Sequence, residues 1–224
     1  MGKRLYALKE PRDDKAWNIY ALREASKLKK WLLGVYYHPD LKRLLVVFNP
    51  TPGTHINKLV FEDISERLIH ESYKMECPEG CGRCCVIQSG AFILSSEVDE
   101  LPEDMKVRLK VQPVETVKTM GGPVKVYKLG TGPMGMCMFF NPSTAKCILE
   151  ELGGKHLKPI ICLITYCTVF ASRNGKLYLK TGYKELSDGR IAMYYREATP
   201  EEWNRALMKM SSALAKYRKA KMLS

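Results

Sequence analysis

Residues 77–85 read CPEGCGRCC, which places Cys77, Cys81, Cys84 and Cys85 within nine positions. Such a run is either a set of staples or a set of ligands. The chain has 224 residues, 46% of them hydrophobic, enough to bury a core without covalent help. The N-terminal stretch MGKRLYALKEPRDDK has no apolar run behind its basic residues, so it does not read as a secretory leader. The longest apolar candidate, PIICLITYCTVFA at 159–171, is too short to cross a membrane. The expected compartment is therefore cytoplasmic, where thiols stay reduced and clustered cysteines serve metals more often than disulfides. Pro78, Gly80 and Gly82 let the loop bend around a centre. Cys84 and Cys85 are adjacent, so in an extended stretch their side chains diverge and do not serve one centre in the same way.

The chain has eight cysteines, the other four being Cys137, Cys147, Cys162 and Cys167. None lies in the first 76 residues or the last 57, a concentration that scattered core cysteines would not give. All eight are candidate metal ligands, because thiolates are soft donors that suit zinc and iron–sulfur clusters. The competing reading is that some are small buried hydrophobes, Cys85, Cys147 and Cys167 most of all. Eight thiols exceed the four of one tetrahedral zinc site. They suffice for two zinc sites, or for one [4Fe-4S] cluster with four to spare. The expected primary set draws on Cys77, Cys81, Cys84 or Cys85, and Cys162, with Cys137 and Cys147 next. His70 and His156 lie near cysteines in sequence, but a lone histidine is more often at the surface or packed.

Four motifs in order resemble the YkgJ-like cysteine-cluster family, described as a zinc- or iron-chelating domain. They are Cys77-x3-Cys81-Gly82-x-Cys84-Cys85, then Gly135-Met136-Cys137-Met138-Phe139, Cys147-Ile148, and Lys158-Pro159-Ile160-Ile161-Cys162. The resemblance covers residues 77–162 and implies a bound metal or cluster. A relative of that family, the flagellin lysine N-methylase, carries a similar motif and is thought to use an iron–sulfur cluster, which places [4Fe-4S] ahead of zinc and makes cluster-dependent methyl or redox transfer an alternative function. Two departures stand out. Leu163, Ile164 and Thr165 replace the family's Arg and aromatic-Pro continuation, and Cys167 is an additional cysteine. Cys77-x3-Cys81-x2-Cys84 also matches the spacing of radical S-adenosylmethionine enzymes. Arg83 stands where those enzymes commonly carry an aromatic, and the hairpin-rich sequence that follows does not suit their long barrel.

The formal charge of +12 is uneven. Residues 1–43 carry 11 Lys/Arg against 5 Asp/Glu, and residues 198–224 carry 6 against 2. The cysteines sit in the nearly neutral middle. The basic ends point to nucleic acid, a ribonucleoprotein or an acidic protein as a partner, against the plainer reading of a solvated surface.

Periodicity predicts a helix over 14–30 and a hairpin from 31–37 and 43–48 around HPDLK, with NPTPG at 49–53 as a breaker. Ile56, Leu59/Val60, Ile64 and Leu68 predict a second helix over 56–70. VIQSGAFIL reads as a strand, Ser96 with Asp99 as a capping box, 102–123 as ambiguous and PVKVYKL at 123–129 as a strand, with GTGPMG at 130–135 as a loop. Asn174-Gly175 and Asp188-Gly189 read as hairpin turns. Thr199, Pro200 and Glu202 open a last helix whose Trp203, Leu207, Met210, Leu214 and Tyr217 form one apolar stripe, with Arg205, Lys209, Lys216, Arg218, Lys219 and Lys221 mainly off it. The expected architecture is α+β. It is a single domain around a cysteine-ligated metal site, with a basic N-terminal helix and hairpin region (1–72), a cysteine core (73–168), and hairpins with an amphipathic C-terminal helix (169–224).

Overall fold

The hairpin over 31–48 forms as its alternation requires. In the computed structural model, β2 (Leu32–His38) pairs with β3 (Arg43–Phe48), closing at His38↔Arg43 with Lys42 at φ 51°. The residues described are 4–79, 81–83, 85, 91–129 and 137–222, with only the backbone beyond Ser211. The other strands are β1 (Leu5–Leu8), β4 (Phe61–Ile64), β5 (Tyr73–Met75), β6 (Phe92–Leu94), β7 (Val114–Thr119), β8 (Gly122–Lys128), β9 (Phe140–Asn141), β10 (Lys146–Cys147), β11 (Phe170–Arg173), β12 (Lys176–Glu185) and β13 (Ile191–Glu197). Helices and antiparallel sheets are mixed, so the chain is α+β. Among the described residues no helix is long and apolar enough to cross a membrane.

The contacts cluster into two compact units. The first comprises Met1–Glu10, Leu28–Pro78 and Ile164–Leu207; the second comprises Pro11–Lys27, Glu79–Leu163 and Met208–Ser224. Each is assembled from stretches distant in sequence, along lines that differ from the consecutive segments 1–72, 73–168 and 169–224.

The first unit is an eight-stranded antiparallel sheet in the order β13-β12-β11-β5-β2-β3-β1-β4. Period-2 alternation divides its apolar residues between two faces. Val35, Tyr37, Met75 and Ala171 pack together on one, against Tyr73, Tyr178 and Tyr195, while Ala7, Leu45 and Val47 pack on the other with Ile64 and Ile69. The helix expected over 56–70 does not form as one piece. Asn57 O accepts from the Val60 and Phe61 N–H groups in a turn, β4 pairs with β1, and only Glu66–His70 is helical. The apolar spacing of four also fits a strand. Pairing with β1 and the edge-on packing of Phe61 on Phe48, 5.5 Å between centroids, selected the strand.

Asn174 (φ 52°) and Gly175 (φ 75°) both take left-handed conformations, as a two-residue type I′ hairpin demands. Asp188-Gly189 closes its hairpin differently. Leu186 and Arg190 pair, Gly189 N–H donates to Leu186 O, and only Gly189 has positive φ, which makes a three-residue loop. The last helix, Pro200–Met222, has the expected reciprocal box: Thr199 N–H donates to Glu202 Oε2 (3.1 Å) and Glu202 N–H to Thr199 Oγ1 (3.3 Å).

In the second unit the helix Lys15–Ser26 starts where Asp14 accepts from the Ala16 and Trp17 N–H groups. It stops short of the expected end, so Lys29 and Lys30 fall in a 3-10 turn, Lys29–Trp31, assigned to the first unit. The stretch 102–123 resolves into the helix Glu103–Leu109 and β7, which with β8 and β6 makes a three-stranded sheet. Leu129 closes the expected 123–129 strand just beyond β8. The Ser96/Asp99 box is not what caps the helix Ser95–Val98. Glu97 turns back to accept from Leu94 N–H at 3.3 Å. Residues 86–90 of VIQSGAFIL and the 130–135 loop lie outside the described residues. The core gathers Ile93, Leu101, Met105, Leu109, Leu129, Phe139, Phe140 and Leu149 together with Cys137 and Cys147. Each such large side chain, fully buried, is worth about 1.5–3 kcal/mol.

Candidate metal centre

The cysteines of the second unit arrive on four separate pieces of backbone. Before β6, Cys81 lies in irregular backbone while Arg83 and Cys85 are helical, and Cys85 N–H donates to Gly82 O at 3.1 Å. Gly82 is left-handed (φ 54°), and a Cβ there would sit 2.9 Å from Phe140 Cε2, so only glycine lets the loop press onto the core ring. Cys137 is pinned by its N–H to Cys85 O at 2.9 Å. Cys147 ends β10 opposite Phe140 and directly precedes the helix Ile148–Gly153. Cys162 lies in the short helix Ile160–Ile164.

Cys81, Cys137 and Cys147 are buried, and Cys85 packs against the same core. Burial pushes the Cys137 thiol up to about 11 from the usual 9.0; the Phe139 N–H works against this, and the neighbouring Cys147 adds to it. Burial raises Cys147 as well, opposed by the Glu150 and Leu149 N–H groups and by Lys158. Cys162 goes well above the usual thiol value, first through burial and then through Cys137, Cys147 and Cys85, with Lys158 pulling the other way. Positions 85, 137 and 147 thus all lie close enough to Cys162 to raise it, and Cys147 acts on Cys137 as well. Without a metal the raised thiols of Cys137, Cys147 and Cys162 hold their protons at neutral pH. A bound cation would reverse that and drive the protons off.

The donors fit a thiolate-ligated metal in kind. In spacing, the described ones do not close a site: among the described residues no three His, Cys, Asp or Glu side chains converge tightly enough to hold one ion. Cys84 lies outside the described residues. The seven described cysteines are reduced. The expected ligands therefore divide. Cys81, Cys85, Cys137, Cys147 and Cys162 belong to the second unit, whereas exposed Cys77 and half-buried Cys167 belong to the first. Cys137 and Cys147, ranked second from sequence, stand beside Cys162, while Cys77 of the expected primary set is on the other unit.

Sequence reasoning missed Glu97. This carboxylate is 2% exposed and accepts from Ile160 N–H at 2.8 Å as well as from Leu94 N–H, tying the start of the Cys162 helix to the end of β6. A buried acid among apolar residues costs too much to leave unsatisfied. The only sequence signal was its place after two serines at a helix start. Lys158 was also missed as an electrostatic neighbour. Its ammonium pairs with Glu150 at 2.9 Å and offsets the rise at Cys147 and Cys162. Among the described residues, His70 and His156 are not brought into a metal-holding group.

Comparison of the chain with protein-family models, with curated proteins and with solved structures gave no match. The family resemblance rests on the four quoted motifs.

Proposed function

We propose that this protein binds a metal centre through the clustered cysteines of its second unit, with Cys85, Cys137, Cys147 and Cys162 as the nucleus of the ligand set and Cys81 and, from the sequence motif, Cys84 as further candidate ligands. The observation that carries the reading is that Cys85, Cys137 and Cys147, from three distant points of the chain, all act on the Cys162 thiol. Packing alone gives no reason to gather four soft donors where the rest of the core is aliphatic and aromatic. The preferred group is a [4Fe-4S] cluster, as the motif resemblance implies, and zinc is what the same donors would otherwise take. When bound, the group would supply cross-linking of the four backbone segments and, if it is iron–sulfur, an electron-accepting centre in an apolar setting.

The test is anaerobic purification followed by metal and sulfide analysis and a visible absorption spectrum. A brown protein with about four irons and matching sulfide per chain supports the cluster. A colourless protein with about one or two zinc ions supports a structural site. A protein free of metal, whether its thiols titrate or are oxidised, overturns the reading.

A further inference from the structure

The first unit holds sulfur that the proposed metal centre leaves unused. Met75 on β5 is 2% exposed, and Met193 on β13 is half-buried. β11 and β12 lie between those two strands, so the curvature of the sheet is what lets one side chain reach both sulfurs. That side chain is Tyr195. Its Oη stands 3.7 Å from Met75 Sδ and 3.7 Å from Met193 Sδ, and donates to Thr168 O at 2.9 Å. The residue before Thr168 is Cys167, half-buried and reduced. Burial pushes the Tyr195 hydroxyl up, and Tyr37, Cys167 and Tyr73 add to the rise in that order. Two thioethers and one thiol thus meet around one hydroxyl.

The surroundings hold this arrangement in place. Tyr73 stacks on Tyr195 with 4.8 Å between centroids, and the Tyr37 ring lies 6.0 Å from it. Met193 N–H donates to Tyr37 Oη at 2.8 Å, and that hydroxyl donates to Ile191 O at 3.2 Å, which fixes the backbone of the methionine. The two sulfurs lie at most twice 3.7 Å apart, and unbranched methionine closes such a gap by rotating its own bonds. Thioether and thiolate sulfur are soft donors, and that set selects Cu(I) over harder dications. Charge argues the same way. One thiolate on one monovalent cation makes a neutral complex, whereas a dication on the same three donors keeps a net charge that an apolar interior disfavours.

We propose that Met75, Met193 and Cys167 bind one cuprous ion in the first unit. Binding forms three copper–sulfur bonds and releases the Cys167 proton to solvent, and the copper stays Cu(I) throughout. The site shares no residue with the proposed metal centre of the second unit and does not depend on it.

The test uses the full chain labelled with methyl-13C methionine and titrated with Cu(I) under anaerobic conditions, a chromogenic Cu(I) chelator setting the free ion. Met75→Leu and Met193→Leu each remove one methyl resonance and so assign the pair. Leucine conserves the volume of methionine, a swap that cores tolerate, and unchanged far-UV circular dichroism separates a lost ligand from a lost fold. Both methyl resonances are expected to shift and to saturate together. In Met75→Leu the Met193 methyl should need at least tenfold more free Cu(I) to respond, and the converse holds for Met193→Leu. Cys167→Ser should raise the requirement of both methyls by at least the same factor. Iron or zinc content, read on the same samples, is expected not to change. Copper uptake with neither methyl shifting, which is capture by the thiols of the second unit alone, would overturn the proposal. So would full affinity in the folded Cys167→Ser chain, or no Cu(I) binding at all.

Discussion

Gly82 is where a single atom decides the bend between Cys81 and the helical stretch that holds Cys85. Its φ of 54° disfavours any side chain, and an added Cβ meets the Phe140 ring at 2.9–3.0 Å and Ala145 O at 3.3 Å. Gly82→Ala is expected to cost about 2–5 kcal/mol, the sum of a left-handed penalty and overpacking. Urea denaturation reads this directly, and a loss below about 0.5 kcal/mol would mean that the Phe140 ring yields. The thiols make a second prediction. Cys162→Ser is expected to weaken metal binding at least tenfold in a chelator competition, since even partners that only orient a ligand cost that much. Cys167→Ser, on the first unit, is expected to leave metal stoichiometry unchanged. Equal losses in both would remove the distinction drawn between the two groups of cysteines.

At the scale of elements, the start of the helix Pro200–Met222 makes a pH prediction. Arg196 grips Glu202 through two hydrogen bonds of 2.8 and 2.9 Å. That pairing, followed by the Thr199 N–H, holds the Glu202 carboxyl down at about 2 from the usual 4.5. A carboxyl depressed in the folded state binds its proton less readily there than in the unfolded chain. Its contribution is therefore fully present above pH 4.5 and is lost as the pH falls toward 2. Acid titration of helicity by far-UV circular dichroism should show a transition in that window for the native chain, and a smaller one for Glu202→Gln, which keeps the box but not the charge. Thr199→Ala is expected to destabilise this helix start by about 1 kcal/mol at any pH. An identical acid transition in the Gln variant would show that the Arg196 pair contributes nothing.

For the whole molecule, the proposed metal centre in the second unit predicts a graded response of the two units to metal removal. A ligand that binds only the folded state stabilises by RT ln(1 + [L]/Kd), about 4 kcal/mol at a thousandfold excess over Kd. Chelation is expected to speed amide hydrogen exchange by about a thousandfold or less in peptides from 91–129 and 137–163. The β2, β3 and β5 peptides of the sheet should keep their protection. Uniform loss across both sets would mean that the chain opens as one cooperative unit and not along its contact boundaries.

Much of the local structure was settled by the sequence itself, because it depends on near neighbours. Asp14 caps its helix, Thr199 and Glu202 close their box, Asn174-Gly175 turns with both residues left-handed, and the β2–β3 hairpin follows its alternation. Each is a short-range matter of hydrogen-bond reach or φ preference. The concentration of thiols in the middle of the chain was legible too, and with it the expectation of metal chemistry. Tertiary structure decided the rest. The 56–70 stretch became strand and turn because β1, some fifty residues earlier, offered a pairing edge. Cys77 fell to one unit and Cys81 to the other although only three residues separate them, because packing and not sequence distance decides which unit a residue joins. Cys137 and Cys147 came together in one core near the half-buried Cys162, and Glu97 was drawn inside to satisfy the Ile160 N–H. A spacing rule can place thiols two to four residues apart. It carries no information about which distant backbone segments will share one apolar interior, since that depends on the sum of many long-range contacts.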